Sequence, residues 1–410
     1  MSDTPPMSLY VPEPEFRPGD TPDYEGVKIA AAGEVRRPPI DVNADDIRDL
    51  AYPIIRVMNR DGEAVGPWAD LLSDDDVLEG LRHMMLVRAY DARMHMAQRQ
   101  GKTSFYMKCL GEEAIATAFR KALSDGDMNF PTYRQQGLLL ATDYPILDMM
   151  NQIYSNAADP LMGRQLPVMY TSKEHGFFTI SGNLATQFMQ AVGWAMGSAI
   201  KGDTRIAAGW IGDGSTAESD FHSGLVFASC FRAPVVLNIV NNQWAISTFQ
   251  GIARGKAATF ASRGLGFGIP SLRVDGNDYL AVYAVSRWAI ERARKGHGPT
   301  LIEHVTYRVG AHSSSDDPSA YRPQEESDIW PLGDPIERLK TYLIKRGVYS
   351  EERYEQSKAE IESNIAQLQK EAEANGTLHD GPHSSAREMF EDVYADTPEH
   401  LRRQRQEAGL

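Results

Sequence analysis

The stretch that decides the fold is residues 205–242, RIAAGWIGDGSTAESDFHSGLVFASCFRAPVVLNIVNN. It holds an apolar strand pattern (RIAAGWIG), then a helical pattern (SDFHSGLVFASCF), then a second strand pattern (APVVLNIVN). A third strand pattern begins at residue 299 with PTLIE. Apolar strands that alternate with helices are typical of a parallel twisted sheet with helices on both faces. We therefore expect an α/β fold.

Polar motifs lie where the first two of these strands end: GDGS at 212–215 and NN at 241–242. Parallel α/β sheets bind their ligands in the crevice beyond the carboxyl ends of the strands. Asp213 offers a carboxylate oxygen and Asn242 an amide oxygen, which are hard ligands that Mg²⁺ accepts together with diphosphate oxygens. Each motif alone is often only a turn. Together they predict a clamp for a Mg²⁺–diphosphate group.

Local structure accounts for other motifs nearby. Ser215 and Glu218 have capping-box spacing, so a helix is expected to begin there with free N–H groups facing a phosphate. The glycine-rich segments 251–256 (GIARGK) and 264–268 (GLGFG) lack the spacing of nucleotide-binding motifs. We expect both segments to be loops.

The composition is that of a globular protein. The chain has 410 residues, 42% of them hydrophobic and 24% charged, which allows a sizeable core. Its formal net charge of -14 argues against a nucleic-acid surface, since phosphates need clustered Lys and Arg. Cys109 and Cys230 are too few for a disulfide framework, and no apolar run approaches the ~20 residues of a membrane span. We expect a bacterial cytoplasmic protein, or a mitochondrial matrix protein if the chain is a processed eukaryotic one.

Three regions are expected along the chain. Residues 1–40 are rich in proline and predict an extended N-terminal arm that orders against the body or a partner, with a floppy tail as the alternative. Residues 41–345 are expected to form the α/β domain, and residues 346–410 a C-terminal helical segment. Long helices are predicted at Asp74–Gln100 and from Glu351 to about Ala374.

A glycine pair marks the helix that precedes the first strand. Gly193 and Gly197 are four residues apart, and small residues at this spacing let a second helix approach closely. The approach could occur within the core or at a subunit interface, and the sequence leaves both possibilities open.

Several motifs occur together in the order of a known family. Between about Phe105 and Arg322 they are SFYMKCLGEEA, PTYRQQG, TISGNLATQ, GDGSTAESD, NNQWAIS, RVDGND and YRVGAHSSSDDPSAYR. This region resembles the α subunit of the thiamine-diphosphate-dependent 2-oxo acid dehydrogenases (decarboxylase component). The loop from His312 to Arg322 matches the branched-chain members, whereas pyruvate-type members have a shorter loop with a single Asp followed by Pro. The resemblance therefore implies the thiamine-diphosphate-binding fold and branched-chain 2-oxo acids as substrates.

The resemblance also implies a metal and diphosphate site. Asp213, Asn242 and the backbone carbonyl of Trp244 match the family's Mg²⁺ ligands. The diphosphate contacts are expected from Tyr133, Arg134, Gly214, Ser215 and His312. His312 is in addition the expected catalytic residue, because an imidazole can donate a hydrogen bond to a developing alkoxide or relay a proton.

Further residues match parts of the site beyond the diphosphate. Gly182 and Leu184 align with backbone contacts to the aminopyrimidine of the cofactor, and Phe105 aligns with the acyl pocket. A monovalent-cation site of some members is matched by Ser181, Thr186 and Gln187. Ser313 resembles a phosphorylation site of animal members, where a phosphate would repel substrate and cofactor. A bacterial chain is not expected to be modified there.

The chain departs from the family pattern at two positions. Thr132 stands where a Gln precedes the Tyr-Arg pair, and Val240 stands where an Arg precedes the two asparagines. One phosphate contact is then missing, so we expect the affinity for the cofactor to depend more heavily on Arg134 and His312.

The resemblance also implies partners. No residue of this chain matches the family's activating Glu; Glu218 is better placed as a helix cap, and Glu112 and Glu113 could be caps too. In the heteromeric family that Glu comes from the β subunit, so the resemblance implies a β partner, two α and two β chains in the assembly and a lipoyl-bearing acyltransferase core as the acyl acceptor. Isolated α is then expected not to turn over.

Two alternatives to this function stay open. The same chemistry could act on pyruvate or acetoin-type substrates, or the chain could be a non-catalytic assembly subunit that keeps the fold. The presence of Asp213, Asn242, Arg134 and His312 counts against the second alternative.

Overall fold

The computed structural model describes residues 7–24, 29–69 and 72–410. Its strands are β1 (Met128–Phe130), β2 (Ala207–Gly212), β3 (Val235–Asn241), β4 (Trp244–Ala245), β5 (Thr248–Phe249), β6 (Ser271–Asp275) and β7 (Thr300–Val305). Five of them form one sheet in the order β1-β2-β3-β7-β6, and every neighbouring pair is parallel. The remaining two, β4 and β5, pair as an antiparallel hairpin directly after β3.

Helices surround this sheet. They are α1 (Asp74–Arg99), α2 (Glu113–Ala122), α3 (Gly137–Leu140), α4 (Ile146–Tyr154), α5 (Thr186–Ile200), α6 (Ser219–Cys230), α7 (Gln250–Arg254), α8 (Tyr279–Arg294), α9 (Pro335–Lys345), α10 (Glu351–Ala374) and α11 (Glu399–Glu407). Short 3₁₀ helices occur at Ala44–Ala51, Gly214–Ala217, Ala261–Phe267, Pro318–Ala320, Gln324–Ser327 and Ala386–Phe390. Among the described residues, no helix combines the length and apolarity of a membrane span.

The central strands bury both of their faces. On β2, Ala208 and Trp210 point into the larger core, which also contains residues of α1, α2 and α8. The alternate residues Ala207 and Ile211 point into a second core with α5 and α6. Because successive side chains of a strand face opposite sides, this arrangement requires an apolar residue at nearly every position. The predicted α/β fold with helices on both faces is confirmed.

The outer strands were not predicted. β1 has only three residues, which is too short to show a period. β6 carries Arg273, whose Nε lies 3.3 Å from Oε1 of the buried Glu303 on β7. The ion pair lets a charged residue sit in a strand, so the apolar pattern is interrupted there. In contrast, the two predicted long helices agree with α1 and α10 to within a residue or two.

The glycine pair of α5 does not mark a helix crossing within the described part of the chain. A Cβ added to Gly193 or Gly197 would meet no atom within 4 Å. Gly193 is exposed to solvent. The core alternative is therefore wrong, and a subunit interface at this face stays a prediction.

The N-terminal segment 7–24 contains no helix or strand. Tyr24 packs edge-on against Trp330 at 5.5 Å and donates a hydrogen bond to the backbone oxygen of Glu326. Farther out, the Lys256 ammonium lies 5.0 Å from the ring centre of Tyr10. Residues 1–6 and 25–28 of the predicted arm lie outside the described residues. The boundaries of the three predicted regions stay predictions.

We expect His304 on β7 to make the stability of the sheet depend on pH. Its ring is fully buried, and Nε2 lies 3.0 Å from Oδ1 of Asn238. Burial lowers the pKa of His304 to about 3, whereas the unfolded chain has a pKa of about 6.5. Below about pH 6.5 His304 therefore binds a proton in the unfolded state but not in the folded state. We expect the free energy of unfolding to fall by about 2 kcal/mol between neutral pH and pH 5.

The matched variant is His304→Gln, which keeps a hydrogen-bond donor but does not titrate. Urea unfolding of both proteins at neutral and at acidic pH measures the difference. The variant should lose this share of the acid sensitivity. An identical pH dependence in both proteins would mean that His304 does not contribute to it.

Candidate active site

A cavity of about 380 Å³ lies beyond the carboxyl ends of β2 and β3. Its wall combines these strand ends with the loop before α5, the hairpin, α7 and the loop that follows β7. Twelve of the fourteen predicted site residues line it, namely Tyr133, Arg134, Ser181, Gly182, Leu184, Gln187, Asp213, Gly214, Ser215, Asn242, Trp244 and His312. The parallel sheet thus brings together residues that are more than 100 positions apart, as the strand-end rule predicts.

Oxygen atoms without a partner mark one end of the cavity. Asp213 Oδ2, Asn242 Oδ1 and Glu112 Oε2 are buried, and none of them has a hydrogen-bond partner among the described residues. The other oxygen of Asp213 accepts the backbone N–H of Gly214 at 2.9 Å. Burial raises the pKa of Asp213 to about 7. Because an unpaired buried oxygen costs about 1–3 kcal/mol, this arrangement favours a bound cation.

The chemistry of these donors fits Mg²⁺. The described residues contain no group of three His, Cys, Asp or Glu side chains that could hold a metal ion. A metal here therefore needs carboxylate and amide oxygens plus oxygens from its ligand, which is the manner in which Mg²⁺ binds with phosphates. The carbonyl of Trp244 accepts a hydrogen bond from Arg308 Nη1 at 2.7 Å. It keeps a second lone pair for a metal.

Arg134 and His312 form a second polar part of the cavity wall. Arg134 is buried, and its Nη2 donates to the backbone oxygen of His312 at 2.6 Å and lies 3.2 Å from Nδ1 of the same residue. Its Nη1 donates to the carbonyl of Lys108. Because a guanidinium only donates, Nδ1 of His312 must accept, and the ring proton is on Nε2. Burial, with the charges of Arg134 and Arg308, lowers the pKa of His312 to about 3.

The loop that carries His312 is held by its own polar network. Asp316 Oδ2 accepts the backbone N–H of His312 and the hydroxyl of Tyr321, both at 2.7 Å. Arg308 Nη2 donates to the Tyr321 hydroxyl at 2.6 Å and to the carbonyl of Ile246 at 3.0 Å. The same arginine therefore joins this loop to the hairpin and fixes both around the cavity.

Family models match most of this chain. The model described as "Dehydrogenase E1 component" matches residues 81–380. A second, described as "2-oxoisovalerate dehydrogenase E1 alpha subunit N terminal", matches residues 5–45. This chain belongs to the dehydrogenase E1 component family. The predicted resemblance is confirmed, and membership implies thiamine diphosphate as the cofactor.

The names of curated relatives agree with this family assignment. The chain is 63% identical over 410 residues to "2-oxoisovalerate dehydrogenase subunit alpha" of Pseudomonas aeruginosa, and the match covers both chains completely. It is 40% identical over 360 residues to "2-oxoisovalerate dehydrogenase subunit alpha, mitochondrial" of Mus musculus, covering 86% of this chain and 79% of the mouse protein. A relative from Arabidopsis thaliana, "2-oxoisovalerate dehydrogenase subunit alpha 1, mitochondrial", is 37% identical over 394 residues and is covered to 79%.

Two predicted residues of the E1 component do not line the cavity. Phe105 is partly buried against the larger core. Its neighbour Tyr106 donates its N–H to the hydroxyl oxygen of Ser314 at 3.2 Å and accepts the Ser314 N–H on its carbonyl at 2.9 Å. Thr186 is the first residue of α5 and donates to the carbonyl of Asn183 at 2.9 Å. The acyl-pocket role of Phe105 and the cation-site role of Thr186 stay predictions without a place on the cavity wall.

The predicted capping box is wrong. Glu218 is exposed and makes no side-chain hydrogen bond at the start of α6. Asp213 instead caps the 3₁₀ helix Gly214–Ala217, so the chain turns one residue after β2 and the segment that follows is 3₁₀ rather than α-helical. The spacing of Ser215 and Glu218 did not show that the carboxylate of Asp213 lies closer to the free N–H group of Gly214.

Two further parts of the cavity were missed. Segment 251–256 was expected to be a loop, but residues 250–254 form α7, whose Ile252 and Ala253 line the cavity. Glu112 was assigned as a helix cap, but it makes no cap hydrogen bond and its carboxylate lies in the cavity wall. Only Glu113 of that pair serves the turn, accepting the N–H of Gly111 at 3.0 Å. Two adjacent acids, Glu112 and Glu113, stand at the start of α2. Because one cap is enough for a helix, the second acid was the sequence signal that one of the two has another role.

Gly214 is required by a close approach of the hairpin. A Cβ at this position would lie well under 3.0 Å from the Cβ of Ala245, whereas a Cβ on Gly212 would meet no atom within 4 Å. We expect Gly214→Ala to displace the hairpin and to destabilise the protein by about 1–3 kcal/mol. Gly212→Ala is the matched control and should unfold like the wild type. Thermal unfolding measures both, and equal midpoints for the two variants would contradict the close packing.

Proposed function

We propose that this chain is the α subunit of a branched-chain 2-oxo acid dehydrogenase (decarboxylase component). The reaction is the oxidative decarboxylation of branched-chain 2-oxo acids, with reductive acylation of a lipoyl group on a partner. The observation that carries the proposal is the cavity, in which unpaired oxygens of Asp213 and Asn242 lie together with Arg134 and His312. The relatives named 2-oxoisovalerate dehydrogenase support the substrate class.

The proposed roles divide the cavity between metal, diphosphate and substrate. Asp213, Asn242 and the carbonyl of Trp244 hold Mg²⁺. The diphosphate binds to Tyr133, Arg134, Gly214, Ser215 and His312. Gly182 and Leu184 present backbone groups to the aminopyrimidine. A monovalent cation near Ser181 and Gln187 is supported by Gln187 Oε1, which is buried and has no hydrogen-bond partner among the described residues.

His312 acts as a hydrogen-bond donor in this proposal. Bound thiamine diphosphate supplies a carbanion and an electron sink for decarboxylation. The protein has to orient the 2-oxo acid and stabilise the oxygen that becomes an alkoxide. The neutral ring of His312 carries its proton on Nε2, which can donate to that oxygen while Nδ1 stays bonded to Arg134. The arginine thereby selects the tautomer that the step needs.

A β subunit completes the proposed site. Asp213 and Glu112 are the carboxylates among the described residues that line the cavity, and both lie at its metal end. The activating Glu is therefore assigned to a β chain, with two α and two β chains per assembly and a lipoyl-bearing acyltransferase core. The cavity wall also includes the exposed apolar residues Leu184 (52%), Ile246 (53%) and Ile252 (47%), which a partner surface would cover. The assembly is proposed to be cytoplasmic, in keeping with the Pseudomonas relative.

The test of the substrate class uses the α chain assembled with its β subunit. Decarboxylation is measured with Mg²⁺, thiamine diphosphate and an artificial electron acceptor, on 3-methyl-2-oxobutanoate and on pyruvate. We expect the branched acid to give the higher kcat/KM. A preference for pyruvate would move the proposal to the pyruvate or acetoin class, and no turnover of any 2-oxo acid would support a non-catalytic assembly subunit.

A further inference from the structure

Glu112 is a buried acid for which the roles proposed above have no use. It is 4% exposed, at the start of α2, and its side chain lies in the cavity wall. Oε1 accepts a hydrogen bond from Nδ2 of Asn242 at 2.7 Å, and Oε2 has no hydrogen-bond partner among the described residues. Nε of Arg134 lies 4.0 Å from the same Oε1.

The bond to Glu112 decides which end of the Asn242 amide faces the cavity. A carboxamide has an oxygen end and an NH₂ end of similar size, and only the oxygen can ligate Mg²⁺. Oε1 of Glu112 acts as an acceptor and therefore takes the NH₂ end of the amide. With Nδ2 on Glu112, Oδ1 is left buried and unpaired at the metal end of the cavity. The opposite orientation would bring two oxygens together and leave the metal facing an NH₂ group.

The position of Glu112 is itself fixed. Its backbone N–H bonds to the carbonyl of Cys109 at 2.9 Å. Gly111 has a φ of +96°, and a Cβ there would lie well under 3.0 Å from the carbonyl oxygen of Tyr307. The Gly111 carbonyl accepts hydrogen bonds from Thr306 Oγ1 at 2.8 Å and Asn277 Nδ2 at 3.2 Å. The turn before Glu112 is thus packed against the end of β7, which gives the carboxylate a defined place beside Asn242.

We propose that Glu112 is a positioning residue of the metal site, which orients the Asn242 amide so that its oxygen faces Mg²⁺. The inference rests on the proposed function, because Mg²⁺ ligation by Asp213 and Asn242 is part of it. Outer-shell partners of metal ligands typically contribute about 10- to 100-fold to metal affinity. A merely structural role would change stability and leave that affinity unchanged.

The test compares two variants in the assembled α–β complex. Glu112→Gln keeps the size of the side chain but can present either an oxygen or an NH₂ group, so Asn242 is no longer held in one orientation. The double variant E112Q/N242D exchanges the two functional groups. Its new amide at position 112 donates to its new carboxylate at position 242, whose other oxygen faces the metal. Glu218→Gln makes the same chemical change at an exposed residue and is the matched control.

The quantity measured is the dissociation constant for Mg²⁺, from calorimetric titration in the presence of thiamine diphosphate. We expect E112Q to raise it about 10- to 100-fold and the double variant to return it to within about threefold of the wild type. A wild-type constant in E112Q, or a double variant as weak as E112Q, overturns the proposal. A lower thermal midpoint of E112Q with an unchanged constant also overturns it, since the role is then structural.

Asp213→Asn separates failure of this inference from failure of the proposed function. If D213N loses Mg²⁺-dependent binding and E112Q does not, the metal site stands and Glu112 has no part in it. If D213N binds Mg²⁺ like the wild type, the metal site itself is wrong, and the inference falls with it.

Discussion

Asp213→Asn is expected to remove Mg²⁺-dependent binding of thiamine diphosphate and, with it, decarboxylation. The weakening should exceed about 100-fold, because changes to outer-shell partners alone already cost about 10- to 100-fold. The variant replaces a carboxylate oxygen that is buried and unpaired with an amide of the same shape. Calorimetric titration of thiamine diphosphate into the α–β complex at fixed Mg²⁺ measures the effect.

The same substitution should not destabilise the fold. Burial already raises the pKa of Asp213 to about 7, so folding gains little from its charge. In the absence of Mg²⁺ and cofactor we expect D213N to unfold at the wild-type temperature or above it. Weak binding combined with a much lower midpoint would indicate that Asp213 holds the strand end rather than a metal. An unchanged affinity would contradict the metal role directly.

Arg134→Met is the second substitution with a large expected effect. Among the described residues that line the cavity, Arg134 is the one side chain that carries a permanent positive charge, because Val240 stands where the family has a further arginine. Each hydrogen bond to a charged group is worth about 1.5–3 kcal/mol, so losing the guanidinium contact should weaken diphosphate binding by about 10- to 100-fold. The measurement is the affinity for thiamine diphosphate at saturating Mg²⁺.

Arg134→Lys is the matched control for charge. It keeps the positive charge but cannot reach the Lys108 carbonyl, His312 and a phosphate with one planar fork. We expect R134K to lie between the wild type and R134M, at about a tenfold loss. If R134K binds as the wild type does, only the charge matters. If both variants bind as the wild type does, Arg134 does not contact the diphosphate.

The sheet was predictable because its central strands are buried on both faces. Two-sided burial leaves an unbroken apolar run in β2 and β3, and such a run is visible in one sequence. The edge strands gave no comparable signal, since β1 is three residues long and β6 contains Arg273, whose charge is compensated by Glu303 only in three dimensions.

The site was predictable to the extent that the sheet places it. Residues at strand ends and in the His312 loop meet in one cavity because parallel strands end at one edge. The direction of a side chain is not encoded in spacing. Glu112 occupies a cap position by sequence, yet its carboxylate turns to Asn242, which is 130 residues away. Similarly, Phe105 has the family's neighbours but lies outside the cavity wall.

In the proposed assembly this chain holds the metal and diphosphate half of a shared active site. Decarboxylation of 3-methyl-2-oxobutanoate by α alone, by β alone and by the two together tests it most directly, with Mg²⁺, thiamine diphosphate and an artificial electron acceptor present. We predict turnover only in the mixture, and its loss when α carries D213N. Turnover by α alone would contradict a shared active site, because the activating carboxylate would then lie in this chain.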